Sequence, residues 1–375
     1  MIRRASSHLA AVLAAFLALT LLVLLVGRAP LLDAQDQGAA NEFNDSHFHL
    51  TNYIQKGPDA GQLLRMVGPR VGRIAMFGIP LQQQWSHGVS GDSAPTYYLQ
   101  SDAPLYYYSF TDAHIAVAYR SLSKADRARI DPMITGFNPA DMYAADHIRR
   151  VLEDFPDVFT GIGEFSIHKE FVSAKIAGGT PSLLNPALDR ILDFAGEVGL
   201  VVLIHNDIGV PFANANERPS YLADLEAVFK RHPRTTIIWA HLGVGRVVRP
   251  VEEQGALVSR MLDDPQLAHV NFDISWNEVA KYLYRDADTP NTIARIAGVM
   301  NRHPDRFLFG TDEVAPTTAK EYYTLYEQYA SLWTALTPEA REKILKGNYA
   351  RLFDAARARV RTWERSHLAA RAQTP

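Results

Sequence analysis

Cysteine is absent from the 375 residues. No disulfide framework can brace the chain, and no thiolate can serve as nucleophile or metal ligand. Any transition-metal site must be built from histidine and carboxylate, a donor set that suits zinc, manganese or iron. An excess of basic residues is missing too: 38 Lys and Arg stand against 41 Asp and Glu, for a net charge of -3. No basic stripe is visible, which argues against nucleic acid and for a small-molecule partner. No internal repeat or low-complexity tract follows the N-terminal segment.

That segment is an uncharged apolar run from Leu9 to Gly27, preceded by Arg3 and Arg4. Secretory cores are usually about 7 to 15 residues long, and spanning helices need about 20. The run therefore fits a signal peptide or a membrane anchor. Leu32-Asp33-Ala34 is a poor cleavage site, because Leu32 stands where a small residue is preferred. Basic residues ahead of the run predict a cytoplasmic N-terminus. The rest of the chain is then expected to be exported, periplasmic or extracellular, or tethered to the inner membrane through residues 9–27. The expected organisation is a signal or anchor over 1–34, a polar linker over 35–41, and one domain over 42–375. About 335 residues suit a single α/β barrel with insertions.

From Glu42 onward, short β-rich runs alternate with amphipathic stretches. Eight apolar strand candidates end near His49, Pro80, Asn138, Ser166, Asn206, Leu242, Trp276 and Asp312. Strands that alternate with helices argue for βαβ units and a parallel sheet. Eight such units predict a (β/α)8 TIM barrel. Asn138-Pro139, Asn185-Pro186 and Thr337-Pro338 each place a capping residue before proline, which predicts helix starts. A C-terminal helix from Asn348 to about His367 is expected to cover the barrel, with Leu352, Phe353, Val360 and Trp363 as its docking residues. Leu81 to Phe110 shows no clear element yet carries Trp85, Tyr97, Tyr98, Tyr106, Tyr107 and Tyr108. It reads either as a substrate-covering loop at the barrel mouth or as a structural insertion.

The chemistry gathers at the strand ends. Residues two apart in a strand point the same way, so His47 and His49 share one face, with Asp45 below them. Glu164, His205, His241 and Asp312 each close an apolar run. Burying such groups costs several kcal/mol unless they are paired or bound to metal. The C-terminal ends of barrel strands are also where this fold builds catalysis. Asn206, His168 and Trp276 follow strand ends and are candidate substrate contacts. Lys169 and Arg246 could hold an anionic substrate or be ordinary solvated charges. Asp273 and Ser275 share a face and could orient metal ligands. Gly178-Gly179 reads as a turn.

The order His-x-His, acid, His, His, Asp resembles the amidohydrolase superfamily. Asp45-x-His47-x-His49-Leu50, Ala240-His241-Leu242-Gly243, Gly310-Thr311-Asp312 and Ile344-Leu345-x-Gly347-Asn348-Tyr349-Ala350-Arg351-Leu352-Phe353 are similar to its amidohydrolase-related (amidohydrolase 2) branch. The resemblance implies that His47, His49 and Asp312 bind a first metal. It implies that His205 binds the same ion or a second one. His241 would be a second-metal ligand or a catalytic group, and Glu164 a bridging carboxylate. The implied cofactor is one or two divalent ions, zinc foremost and manganese as the alternative. The implied activity is hydrolysis of an amide, ester, lactone or phosphoester bond. Asp312 would move the proton of an activated water, and His241 or the metal would polarise the attacked oxygen. The alternative within the branch is a metal-dependent non-oxidative decarboxylase.

Overall fold

The structure, a computed structural model, describes residues 41–51, 56–95, 97–283 and 289–372. The expected signal or anchor and all of the linker but Asn41 lie outside the described residues. Among the described residues, no helix is long and apolar enough to cross a membrane.

Strands form where apolar runs meet turn residues. They are β1 (Phe43–His49), β2 (Val71–Phe77), β3 (Leu81–Gln83), β4 (Leu105–Tyr107), β5 (Ile130–Ile134) and β6 (Gly161–Ser166). Then follow β7 (Val201–His205), β8 (Thr236–Trp239), β9 (Val270–Asp273), β10 (Phe307–Leu308) and β11 (Glu313–Val314). Nine of them form one parallel sheet, in the order β10-β9-β8-β7-β6-β5-β2-β1-β11. The two strands at its ends belong to one short segment. Between them, Phe309 O accepts from Ser46 N at 3.1 Å and Asp312 N donates to His47 O at 2.7 Å. The sheet therefore curls until residues 307–314 touch both β9 and β1, a TIM-barrel-like α/β fold.

The two faces of this sheet are buried separately, which is why its strands read as nearly continuous apolar runs. Ala75, Phe77, Met133, Val201, Leu203, Ile238 and Leu308 pack on one face with Tyr349, Leu352, Phe353 and Ala356. Alternate residues, among them Ile74, Met76, Val202, Ile204, Ile237, Trp239 and Phe272, join the larger cluster on the other face, which includes the surrounding helices. Tyr349, Leu352, Phe353 and Ala356 come from the C-terminal helix, Asn348–Ala372. The expected docking helix is thus present and runs five residues past the expected end.

Two local expectations need correction. Asn138-Pro139 does not open a helix. Asn138 Oδ1 accepts from Ala140 N at 2.9 Å, a side-chain bond that competes with the helical pattern, and the helix begins only at Ala144. Asn185 does cap Pro186–Val198, and Thr337 caps Pro338–Glu342. The stretch 81–110 is not without elements either. β3 and β4 pair as an antiparallel hairpin, and His87–Ser90 is one helical turn. Three-residue strands are too short to leave a readable alternation.

Phe353 is fully buried and stacks on Tyr349, with ring centroids 4.3 Å apart. Phe353→Ala is expected to destabilise the domain by about 3–5 kcal/mol, measured by denaturant unfolding. A loss below about 1 kcal/mol would show that the helix merely covers the sheet without packing into it.

Candidate functional site

His49 pairs with Phe77 on the face that carries Ala75 and Val201, and the His47 ring lies 5.2 Å from that of Phe77, but Asp45 does not share this face as expected: it pairs with Ile74 of the other face, because register shifts on either side of it break the period of two. Asp45 is buried and fully engaged. It accepts from His47 N at 3.0 Å, Thr311 N at 2.8 Å, Thr311 Oγ1 at 2.6 Å and Tyr322 OH at 2.6 Å. Burial pushes its carboxyl above the ordinary range despite these bonds. Asp45 thereby ties β1 to the turn that bears Asp312. Gly310 makes the approach possible: a Cβ there would sit 2.6 Å from His47 Cβ. Glu164 comes from β6 and His205 from the end of β7. His241, Trp276 and Asp312 are all left-handed, with φ of 56°, 74° and 53°. Such conformations in non-glycine residues cost of order 1–3 kcal/mol each and cluster at functional sites. Here they aim three side chains just past strand ends.

Each of the four imidazoles has one nitrogen anchored outward. His47 Nδ1 lies 2.7 Å from Asp273 Oδ2, and the other Asp273 oxygen accepts from Ser275 N. His49 Nδ1 meets Gly78 O at 3.3 Å. His241 Nδ1 meets Ser275 O at 3.3 Å and Ser275 Oγ at 3.1 Å. His205 is anchored through the opposite atom, with Nε2 at 3.1 Å from Asp207 Oδ1. An acceptor on the outer nitrogen holds the N–H there when the ring is neutral, which leaves an electron pair on the inner one.

The inner nitrogens converge on two carboxylates. Asp312 Oδ1 is 3.3 Å from His47 Nε2 and 3.1 Å from His49 Nε2. Glu164 Oε2 is 3.6 Å from His49 Nε2. Glu164 Oε1 is 2.6 Å from His205 Nδ1 and 3.5 Å from His241 Nε2. For ligand bonds of about 2.0–2.2 Å in a tetrahedral shell, donor atoms stand about 3.4 Å apart. His47 Nε2 and His241 Nε2 are buried without a hydrogen-bond partner. Unpaired buried nitrogens are costly, and a metal ion is the partner this donor set suits. His47, His49 and Glu164 could hold one, as could Glu164, His205 and His241. The six residues expected as ligands are thus brought into one cluster.

The charges are mutually dependent. Burial raises the Asp312 carboxyl, but His47, His49 and His241 outweigh it and hold the group well below the usual carboxylate range. Burial is likewise overcome at Glu164, first by Lys169 and then by His205, and its carboxyl also sits low. Burial disfavours charge on His47 and His205. Even so, Asp312 and Asp273 lift His47 to about 9, and Glu164 with Asp207 lifts His205 to about 8. Burial dominates at His241 and lowers it.

Above the cluster lies a cavity of about 390 Å³ lined by His49, Glu164, Asp312, Lys169, Arg246, Trp276, Tyr97, Tyr98, Leu81 and Val172, among others. Of the candidate substrate contacts, Trp276 lines it. Asn206 and His168 do not. Asn206 is buried, donating to Asp207 O at 2.8 Å while its Oδ1 accepts from His168 N at 3.3 Å. The His168 ring stacks on Tyr221 at 3.8 Å. Both side chains are taken up in holding loops together. Sequence reasoning missed Asp207 and Glu170. Asp207 stands two residues after His205, the same signal that linked His47 to His49. Glu170, which receives Arg246 and donates its N–H to Asp207 Oδ2, left no such signal.

The model of the family described as amidohydrolase matches residues 45–355. No curated protein sequence matches the chain. Among solved structures, an amidohydrolase from Burkholderia multivorans with bound zinc superposes with a TM-score of 0.52 at 16% identity, over 83% of this chain and 99% of that one. A protein assigned as 2-pyrone-4,6-dicarboxylic acid hydrolase, from Pseudomonas putida, gives 0.50 at 14% identity, over 84% and 98%. A 2,6-dihydroxybenzoate decarboxylase from Rhizobium gives 0.47 at 13% identity, over 84% and 99%.

In protein stripped of metal, His47 and His205 titrate in the fold at about 9 and about 8, above the ordinary value of 6.5. Their stabilising contribution is complete below about 6.5 and is lost as pH rises through about 8 and then about 9. Glu313, which burial and Asp312 push up to about 8, adds to the decline because the unfolded chain ionises first. The melting temperature of chelator-treated protein is expected to fall steadily from pH 6.5 to 9.5. A flat or rising curve would show that these imidazoles are not charged in the fold.

Proposed function

Because the chain belongs to the amidohydrolase family and is an enzyme of that superfamily, we propose that it is a metal-dependent hydrolase acting on a small molecule at the mouth of a (β/α)8 barrel. The bond it cleaves is an amide, ester, lactone or phosphoester. One observation supports this above all. The buried inner nitrogens of His47 and His241 have no hydrogen-bond partner, while their outer nitrogens are tied to Asp273 and Ser275. His47, His49 and Asp312 would hold one ion. Glu164, His205 and His241 would complete its shell or hold a second. Zinc suits these donors, with manganese as the alternative. Bound there, a divalent cation supplies Lewis-acid polarisation and lowers the pKa of water from 15.7 to about 7.

The side chains divide the remaining work. Asp312 is ionised and faces the cavity, so it can take the proton of a water nucleophile and return it to the leaving group. His241 keeps its N–H on Ser275 O. Its inner nitrogen then offers a lone pair, which favours a ligand role over donating to an oxyanion. Trp276, Tyr97, Leu81 and Val172 wall the cavity and limit water.

The family holds both hydrolases and decarboxylases. The decarboxylase reading draws on the contact of Lys169 Nζ with Glu164 Oε2 at 3.4 Å. An ammonium already compensating Glu164 favours a one-ion centre, the arrangement such lyases use.

Elemental analysis of purified protein is expected to find one to two equivalents of zinc or manganese, lost in a His47→Ala/His49→Ala variant. Two equivalents select the hydrolase, and a single one keeps the lyase open. Asp312→Asn is expected to lower kcat by about 10²–10⁴ on any ester, lactone, amide or carboxylate substrate found. Trace metal only, in the unmodified protein, would remove the proposal.

A further inference from the structure

The wall of the cavity carries acidic and basic side chains, His49, Glu164, Lys169, Arg246, Asp312 and Glu313. All but the last are compensated from within the protein. Lys169 Nζ is 3.4 Å from Glu164 Oε2, an Arg246 guanidinium nitrogen is 3.4 Å from Glu170 Oε1, and Asp312 Oδ1 is 3.1 Å from His49 Nε2. Both cations also lie over the Trp276 ring, with the Lys169 ammonium 5.9 Å and the Arg246 guanidinium 4.7 Å from its centroid. Glu313 differs. Its backbone N–H donates to Thr311 Oγ1 at 3.3 Å. Among the described residues, however, its carboxylate meets neither a hydrogen-bond donor nor a cation.

The chain holds Glu313 in this place. β11 lies against β1, with Glu313 opposite Phe48 and Val314 opposite His49. Asp312 before it and Ala315 after it are left-handed, with φ of 53° and 55°. The charges that act on the Glu313 carboxylate are acids too, Asp312, Asp45 and Glu321. Glu313 is half-buried, and a carboxylate withdrawn from water without a partner costs free energy. Lys169 follows β6, four places along the sheet from β10, and is already occupied by Glu164. The cavity is therefore polarised. Compensated cations stand on the side of β6 and β8, and an uncompensated carboxylate stands beside β11.

We propose that Glu313 is a specificity residue that receives a positively charged nitrogen of the substrate, an ammonium or guanidinium on a short apolar skeleton. This rests on the enzyme reading above and narrows it to cationic small molecules. An ammonium or guanidinium gives a carboxylate charge-assisted hydrogen bonds and brings the counter-charge that the protein withholds. An anionic group in the same place would face Asp312 and Glu313 together and be repelled. Apolar neighbours for the skeleton are present in the cavity wall, among them Ile79, Leu81, Val314 and Leu325. The volume of about 390 Å³ lies in the range of small-molecule sites. A cation anchored on Glu313 leaves the rest of the ligand beside His49 and Asp312, which line the same cavity.

The test is calorimetric binding to the intact metal-loaded chain. The probes are butylguanidinium against butylurea, and benzylammonium against benzyl alcohol. Each cation is expected to bind about tenfold to a hundredfold tighter than its neutral partner. Glu313→Gln should abolish the preference in both pairs, and Glu313→Asp should keep part of it. Glu313→Gln should not lower the melting temperature, because it breaks no contact within the protein. Guanidinium is a poor metal ligand, so its affinity reports on the carboxylate and not on the ion. Neutral partners binding as tightly as the cations in the unmodified chain would overturn the assignment. So would a preference that survives Glu313→Gln, or one shown by benzylammonium alone, the mark of an amine that ligates the ion. Bound metal and turnover of neutral esters are measured on the same preparations. If metal binds and neutral esters are turned over while no cation is preferred, the specificity fails and the hydrolase stands. If cations are preferred through Glu313 but no metal binds, the reverse holds.

Discussion

An imidazole becomes a directed ligand only when one of its nitrogens is already spoken for. In this chain every histidine of the cluster meets that condition through a different partner: a carboxylate for His47, a main-chain carbonyl for His49, the Ser275 carbonyl for His241 and Asp207 for His205. His205 is reversed relative to the others, anchored by Nε2 and facing inward by Nδ1. The four anchors come from β9, the loop after β2, the loop after β9 and the loop after β7. The inward convergence is therefore a property of the whole curled sheet. A site assembled this way resists drift, since turning any ring breaks a buried hydrogen bond worth more than an exposed one.

The same sheet has to tolerate a dense concentration of charge. Glu164 and Asp45 are buried, Asp312 beside the cluster is 11% exposed, and each is stabilised differently. Asp45 relies on four hydrogen-bond donors and has no cationic partner, so burial dominates its ionisation. Asp312 and Glu164 rely on imidazoles and Lys169, so their neighbours dominate. This difference separates a bracing acid from the two acids of the histidine cluster, though all three belong to one class of side chain. The bracing one holds the Thr311–Asp312 turn against β1, and Gly310 removes the Cβ that would otherwise keep them apart.

Around the cluster, much of the cavity wall is carried by loops. Tyr97 and Tyr98 arrive from the β3–β4 excursion, Lys169 and Glu170 from the loop after β6, and Arg246 from the turn after β8. They meet through one short relay, Tyr97–Arg246–Glu170–Asp207–His205. Cavity wall and candidate ligand are thus mechanically continuous.

How much of this was legible in the linear chain depends on the range of the governing interaction. Strand alternation has a period of two, so His47 and His49 announce a common face, whereas the register shifts on either side of Asp45 break that period and leave no local signal. Apolar runs ending in Glu164, His205, His241 and Asp312 announce strand ends, and Asn185-Pro186 announces a helix. These are local rules, obeyed within a few residues. Asn138-Pro139 shows their boundary, since a side-chain bond to Ala140 N diverts the chain into a turn before a helix can start. The parallel α/β architecture and the identity of the cluster residues can be read from the linear chain, because both follow from patterns shorter than one element. Long-range packing alone settles which nitrogen of each histidine faces inward, that Asn206 and His168 are spent on loop packing, and that Lys169 and Arg246 share the Trp276 ring. Those facts depend on left-handed residues at strand ends and on loops that meet over the end of the curled sheet, where no local period reaches.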